Sequence, residues 1–284
     1  MKKIIPVVLA LLSLQAWAQK DPNKEAEPIV EEGKKLYRSE MASWYGTDIF
    51  LEQHKDRSDI GGYFSYSDKG IAKCIFFSKA DQPKAIGTIS FDSTYDTKTA
   101  VTDLTERELT PIENDLYKIR KAALAIVRSD TMFKTYENSS LNFIPLADDK
   151  GKRLYILTGP EKTGVVIFGN DYLITFDKDN NVLTKKQLHR NIIPVNYDSK
   201  DGEKQEESMH THAAETGDFI TPTDICTLML YEKFTTWKQH NVASKKYLNI
   251  WNCKTNELFV IKMSVIEKIN KDQEERDKKN KKDN

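Results

Sequence analysis

A chain of 284 residues with 43 basic and 43 acidic side chains has no formal net charge, which argues against a nucleic-acid partner or an anionic membrane surface. Hydrophobic content is a modest 39%, but 12 Tyr, 12 Phe and 4 Trp can fill a real core, and the length suggests one or two domains. Three cysteines, Cys74, Cys226 and Cys253, cannot make a complete disulfide framework and are expected as buried, inert thiols.

Residues 1–18 read as a signal peptide. Lys2 and Lys3 precede an apolar run from Ile4 to Leu14, and Ala16-Trp17-Ala18 offers a small-x-small cleavage site. The run is too short to span a bilayer, and no cysteine follows it to carry a lipid anchor. The expected mature protein is therefore exported, periplasmic or secreted, with no membrane span.

Residues 19–28 are polar, hold two prolines and read as a flexible lead-in. Apolar positions between Ile29 and Gln53 predict one or two helices, broken at Gly46-Thr47-Asp48. Gly61 to Phe91 then predicts a meander of three strands rich in aromatic and β-branched residues. Residues 29–105 are expected to form an N-terminal helix-plus-meander module, ending in the Thr-rich segment Asp92–Thr105. Thr110-Pro111-Ile112-Glu113 is a capping box that opens a helix running to about Arg128.

Six strands are predicted next: Leu141–Leu146, Leu154–Leu157, Val165–Phe168, Tyr172–Phe176, Val182–Lys186 and Ile192–Val195. Turn residues such as Gly169-Asn170-Asp171 and Asp177–Asn181 separate them. A polar loop at 198–207 precedes a histidine-bearing segment, a helix from about Pro222 to Gln239, and a strand pair at Tyr247–Cys253 and Glu257–Met263. Residues 265–284 form a charged, solvated tail. The fold class expected is α+β, with residues 106–264 as a second unit built on a mixed sheet flanked by helices.

The chemistry concentrates in Met209–Asp224. In an extended segment residues i and i+2 share a side, so His210 and His212 present nitrogens to one point, and a short loop brings Asp224 back to it. Two imidazoles and a carboxylate suit a borderline-soft ion such as Zn2+ and leave a fourth position for water. A bland reading stands beside this one. Thr221-Pro222-Thr223-Asp224 is a complete helix start, with Thr221 as cap and Asp224 bonding back, and needs no metal. The other histidines carry less: His189 reads as an exposed strand end among lysines, His240 as the end of a helix, and His54 as a solvated loop residue. No Gly-rich phosphate loop, Gly-x-Ser-x-Gly elbow or His-Glu-x-x-His helix is present.

Strands, an exposed loop, His-x-His, a short loop, Thr-x-x-Asp, a helix and a strand pair follow one another in an order that resembles the JAMM/MPN (JAB) metalloprotease family over residues 110–263. His210 and His212 match its two histidine ligands and Asp224 its carboxylate ligand, while Thr221 stands where the family has serine. Ala213 replaces the usual proline, and eight residues separate His212 from Thr221, one more than the common spacing. The family's general acid/base glutamate is matched best by Glu161, in Glu161-Lys162-Thr163-Gly164 ahead of an apolar run, with Glu137 and Glu215 as rivals. The resemblance implies a zinc-bound water that attacks an amide or isopeptide carbonyl, with Thr221 donating to the developing oxyanion. A protein tail, an isopeptide or a peptidoglycan cross-link would be the substrate. The alternative expectation is a non-catalytic cell-envelope binding or scaffolding protein that keeps the fold.

Overall fold

The first helix runs through the middle of the molecule, and among the described residues each sheet packs against it or against the helix beside it. In the computed structural model, which describes residues 21–197 and 205–280, α1 (Pro22–Gln53) is one continuous helix of 32 residues, about 48 Å long at 1.5 Å per residue. The signal segment and residues 198–204 of the polar loop lie outside the described residues.

Two sequence expectations are corrected here. The lead-in at 19–28 is helical from Pro22, because Asp21 caps the helix by accepting the Asn23 N–H and Pro22 takes the first position, where its missing donor costs nothing. The expected break at Gly46 is absent because that glycine serves packing. A Cβ there would lie 2.6 Å from the Cβ of Cys74, so only glycine lets the helix sit down on the sheet.

That sheet holds β1 (Ile60–Asp68), β2 (Ile71–Ser78) and β3 (Lys84–Phe91), all antiparallel, with the short β4 (Val101–Asp103) and β5 (Arg107–Glu108) both pairing with β3. The helix α2 (Pro111–Ser129) starts at the capping box read from the sequence. Thr110 Oγ1 accepts the Glu113 N–H and the Glu113 carboxylate accepts the Thr110 N–H.

The hairpin β6 (Ser139–Asp148) and β7 (Gly151–Pro160) leads to β8 (Val165–Gly169), which leaves to pair elsewhere. The sheet continues with β9 (Tyr172–Phe176) and β10 (Val182–Gln187) in the order β10-β9-β7-β6, while β11 (Ile192–Asn196) pairs with β8. The last sheet runs β12 (Glu207–Thr211), β13 (Gln239–Ala243), β14 (Tyr247–Asn252) and β15 (Glu257–Lys262), and α4 (Met263–Asn280) follows. β12 and β13 are parallel, with α3 (Pro222–Tyr231) as the crossover between them. The helix expected to reach Gln239 thus ends at Tyr231, because Trp237 turns into the core and residues 239–243 are needed as a strand beside β12.

One hydrophobic core joins Leu36 and Phe50 of α1 to Phe76 of β2, Ile144 of β6, Leu157 of β7, and Cys226 and Leu230 of α3. Residues on both sides of position 105 therefore share it. All three cysteines are buried free thiols, and burial pushes the Cys74 thiol up to about 12. A buried ion pair adds a polar staple. Arg153 of β7 donates from Nε and Nη2 to the Glu32 carboxylate on α1 and from Nη1 to Asp148, 2.7 Å away. Among the described residues no helix is long and apolar enough to cross a membrane.

α1 also fixes α3. A Cβ on Gly33 would lie 2.6 Å from the Ile225 Cβ and 2.9 Å from the Pro222 carbonyl oxygen. The first turn of α3 is thus wedged against α1 where only a glycine fits, and that turn carries Asp224.

Candidate metal centre

Alternation along β12 puts Ser208 and His210 on its buried face and Met209 and Thr211 on its exposed face, and His212 continues the buried series just past the strand. The His212 N–H is held by the Ala243 carbonyl at 2.8 Å, which extends the parallel pairing by one residue. Asp224, in the first turn of α3, faces the same point. Parallel strand ends and the start of the crossover helix are a common place for ligands in such units.

A fourth residue joins them. His189, read from the sequence as exposed, is 2% exposed, beside 5% for His210, 7% for His212 and 1% for Asp224. The β9–β10 hairpin puts it there. Its register pairs Gln187 with Tyr172, so the chain beyond β10 runs on beside Asp171, whose carbonyl accepts the Leu188 N–H at 2.9 Å. The flanking lysines that suggested exposure belong to β10, which is solvated, whereas His189 lies beyond its end and turns inward.

The four residues offer one ligand atom each, all within 4.8 Å of one another. His212 Nε2 lies 3.0 Å from His189 Nε2 and 3.1 Å from His210 Nε2. Asp224 Oδ1 lies 3.5 Å from His189 Nε2 and 3.6 Å from His210 Nε2, and Asp224 Oδ2 is 3.2 Å from His212 Nε2. For zinc–ligand bonds of about 2.0–2.1 Å, the edge of a tetrahedron is about 3.3–3.4 Å. These five separations lie on either side of that edge, in a set whose ligand atoms all fall within 4.8 Å. Asp224 Oδ1 is moreover a buried acceptor with no hydrogen-bond partner, although buried oxygens rarely go without one. A metal ion would satisfy it.

The surrounding groups orient the ligands as outer partners of metal sites do. His189 Nδ1 donates to both oxygens of Asp171, at 2.8 and 3.1 Å, which leaves Nε2 facing the cluster. His210 Nδ1 meets His240 Nε2 at 2.9 Å, and His240 Nδ1 meets Ser208 Oγ at 2.7 Å. Thr223 Oγ1 donates to Asp171, and Thr221 links Thr223 to Asp224 Oδ2 through contacts of 2.8 Å each. Phe168 stacks on His240 with ring centres 4.7 Å apart and closes the floor.

Burial holds His210 at about 4 and His240 at about 3, so both rings are neutral at pH 7, the form a metal requires. His189 differs. Burial pulls it down, but the carboxylates of Asp224 and Asp171 outweigh this and lift it to about 9. Burial pushes Asp224 up, and the three neighbouring imidazoles overcome that and hold its carboxyl well below the usual range. Two buried carboxylates thus demand positive charge at this point. Without a metal the proton on His189 supplies part of it; a divalent cation with three neutral imidazoles would balance both carboxylates.

Thr221 is buried as the N-cap of α3, its hydroxyl committed to Thr223 and Asp224. Glu161 is exposed in the turn between β7 and β8, and among the described residues its carboxylate has no hydrogen bond or ion pair with any of the four. Glu137 is exposed as well, and Glu215, 55% exposed, faces Arg190 at 3.8 Å. None of the three meets the cluster. The carboxylate that does approach it from behind is Asp171, which the sequence placed only in a turn. His240, expected at a helix end, is in β13 and fully buried. His54 stacks on Phe50 and meets Asp59 at 3.2 Å, away from the centre.

Comparison with models of known protein families, with characterised proteins and with solved structures finds nothing that matches this chain.

Proposed function

We propose that this chain is an exported zinc protein whose buried His189–His210–His212–Asp224 centre is structural, and that it works in the cell envelope as a non-catalytic binding or scaffolding unit. One observation carries the reading: His189 Nε2, 3.0 Å from His212 Nε2 and 3.5 Å from Asp224 Oδ1, would supply a fourth protein ligand where a zinc hydrolase keeps water. The charge balance of the site supports it, and so does access. Among the described residues the four are only 1–7% exposed, and none of them lines the clefts of about 800, 430 and 200 Å3. In this role the ion would tie the end of β12, the start of α3 and the β10–β11 connection together. The localisation rests on the N-terminal sequence alone.

Cobalt(II) in place of zinc tests the coordination. A closed four-ligand site gives the intense visible bands of tetrahedral cobalt, unchanged by azide or by a hydroxamate. Bands that shift with either anion would show an exchangeable position and overturn the structural reading.

A hydrolase of the JAMM-like kind remains the second reading, favoured by the Asp171–His189 pair. If His189 left the metal, that pair would stand where a general base is needed and would fill the role for which Glu161 is misplaced.

A further inference from the structure

We infer that the small pocket between α1, the β6–β7 hairpin and the end of α3 is a binding site for a protonated amine of lysine side-chain size. This pocket, about 200 Å3, is lined by Glu40, Trp44, Tyr63, Asn142 and Tyr231 among others, and is separate from the metal centre. Glu40 is half-buried on α1, and among the described residues its carboxylate has no hydrogen-bond or ion-pair partner. Among the described residues the Asn142 amide and the hydroxyls of Tyr63 and Tyr231 have no hydrogen-bond partner either. Polar groups left free in a cleft, beside aromatic walls, are how small-ligand sites fix the orientation of what they bind.

The charge of the ligand follows from what surrounds Glu40. Burial alone pushes its carboxyl up to about 7, and no cation offsets the burial. Arg120 stacks 5.7 Å from the Tyr63 ring and 5.9 Å from the Phe143 ring instead of pairing with it. The walls, in contrast, are aromatic: the rings of Trp44 and Tyr231 lie 6.4 Å apart, and Trp44 is 38% exposed at the rim. Aromatic faces favour cations, and this ledge already holds one. Lys233 Nζ sits 5.0 Å from the Trp44 ring, bound to the Tyr45 hydroxyl at 2.9 Å. A carboxylate without a counter-ion, carbonyl and hydroxyl acceptors and aromatic walls together describe the complement of an alkylammonium group. The amine is either a lysine side chain of a partner polypeptide or a free small amine.

Isothermal titration of the mature protein tests this with n-butylammonium and Nα-acetyl-lysine N-methylamide, against n-butanol and butyrate as controls. One saturable site for the amines is expected, with the controls at least tenfold weaker. Glu40→Gln, close in shape and verified as folded by circular dichroism, should weaken amine binding at least tenfold, and Tyr231→Leu at least threefold. Tighter binding of the lysine derivative assigns the site to a polypeptide, and tighter binding of butylammonium to a free amine. Equal affinity in Glu40→Gln, equal binding of butanol, or saturation by neither amine would overturn the inference.

Discussion

Loading the centre with zinc should raise the melting temperature by about 5–11 °C, and the size of that shift follows from the site. In the metal-free protein Asp224 Oδ1 and His212 Nδ1 are buried without partners, and each such orphan costs on the order of 1–3 kcal/mol. A zinc ion bound there would satisfy the first. An ion that binds only the folded chain adds about 2.7 kcal/mol when free zinc exceeds its Kd a hundredfold. For a chain of this length 1 kcal/mol moves the midpoint by about 2–4 °C, which gives the range above. A further tenfold rise in zinc adds about 1.4 kcal/mol, or about 3–6 °C. Calorimetry at fixed pH, on protein stripped with chelator and returned to buffered zinc, reads the logarithmic slope directly. His212→Ala and Asp224→Ala should flatten it. A wild-type midpoint that ignores zinc over two decades, or an Asp224→Ala variant that keeps the slope, would refute the reasoning.

Asp171→Asn removes the carboxylate that orients His189 and should lower zinc affinity about 10–100-fold in a competitive chelator titration; Glu161→Ala, at an exposed turn, should leave it unchanged. Gly33→Ala forces a methyl group into Ile225 and Pro222; urea unfolding should show a loss of about 1–3 kcal/mol, and zinc affinity should fall with it because the first turn of α3 moves. Arg153→Leu strands Glu32 in the core and should cost about 3–5 kcal/mol, with much of it recovered when Glu32→Gln is added. The same pair sets the acid limb. Burial pushes the Glu32 carboxyl up, but Arg153 and Lys150 hold it below its ordinary 4.5, and Arg153 and Lys35 hold Asp148 below its ordinary 3.8. Their stabilisation is complete above about pH 4.5 and is lost as pH falls through the lowered folded values. Thermal midpoints measured from pH 7 to 2 should therefore fall less steeply in Arg153→Leu than in the wild type.

Much of the architecture was legible because it rests on local chemistry. The six strands between Leu141 and Val195 are bounded by turn residues, and the start of α2 follows from Thr110, Pro111 and Glu113, which satisfy one another within four residues. The errors fall where distant packing overrides composition. The polar segment ahead of Ile29 is tied as helix to a distant strand, Asn23 Oδ1 accepting the Val260 N–H of β15 at 2.8 Å, and Gly46 is kept for contact with Cys74 rather than for a break.

The site divides in the same way. The i, i+2 spacing of His210 and His212 and the helix start at Thr221 put three residues in reach of each other from sequence alone. His189 and Asp171 are joined by a hairpin register, and their meeting with the other three needs β8, β9 and α3 in place. The Asp177–Asn181 turn between two short strands was the available signal, since counting out from it, past the register shift at Val182–Thr184, sets residue 188 beside residue 171 and His189 next to it. Charged neighbours hid it. His240 was lost through the helix boundary, because Trp237 is buried by tertiary packing that no periodicity announces.

The account turns on how many protein ligands the metal would have, and X-ray absorption at the zinc edge of the zinc-reconstituted protein measures that most directly. It should show about one zinc per chain with four nitrogen or oxygen neighbours near 2.0–2.1 Å and scattering from three imidazoles, reduced to two in His189→Ala. Two imidazoles in the wild type, unchanged in His189→Ala, or no retained zinc at all, would contradict the closed His189–His210–His212–Asp224 centre.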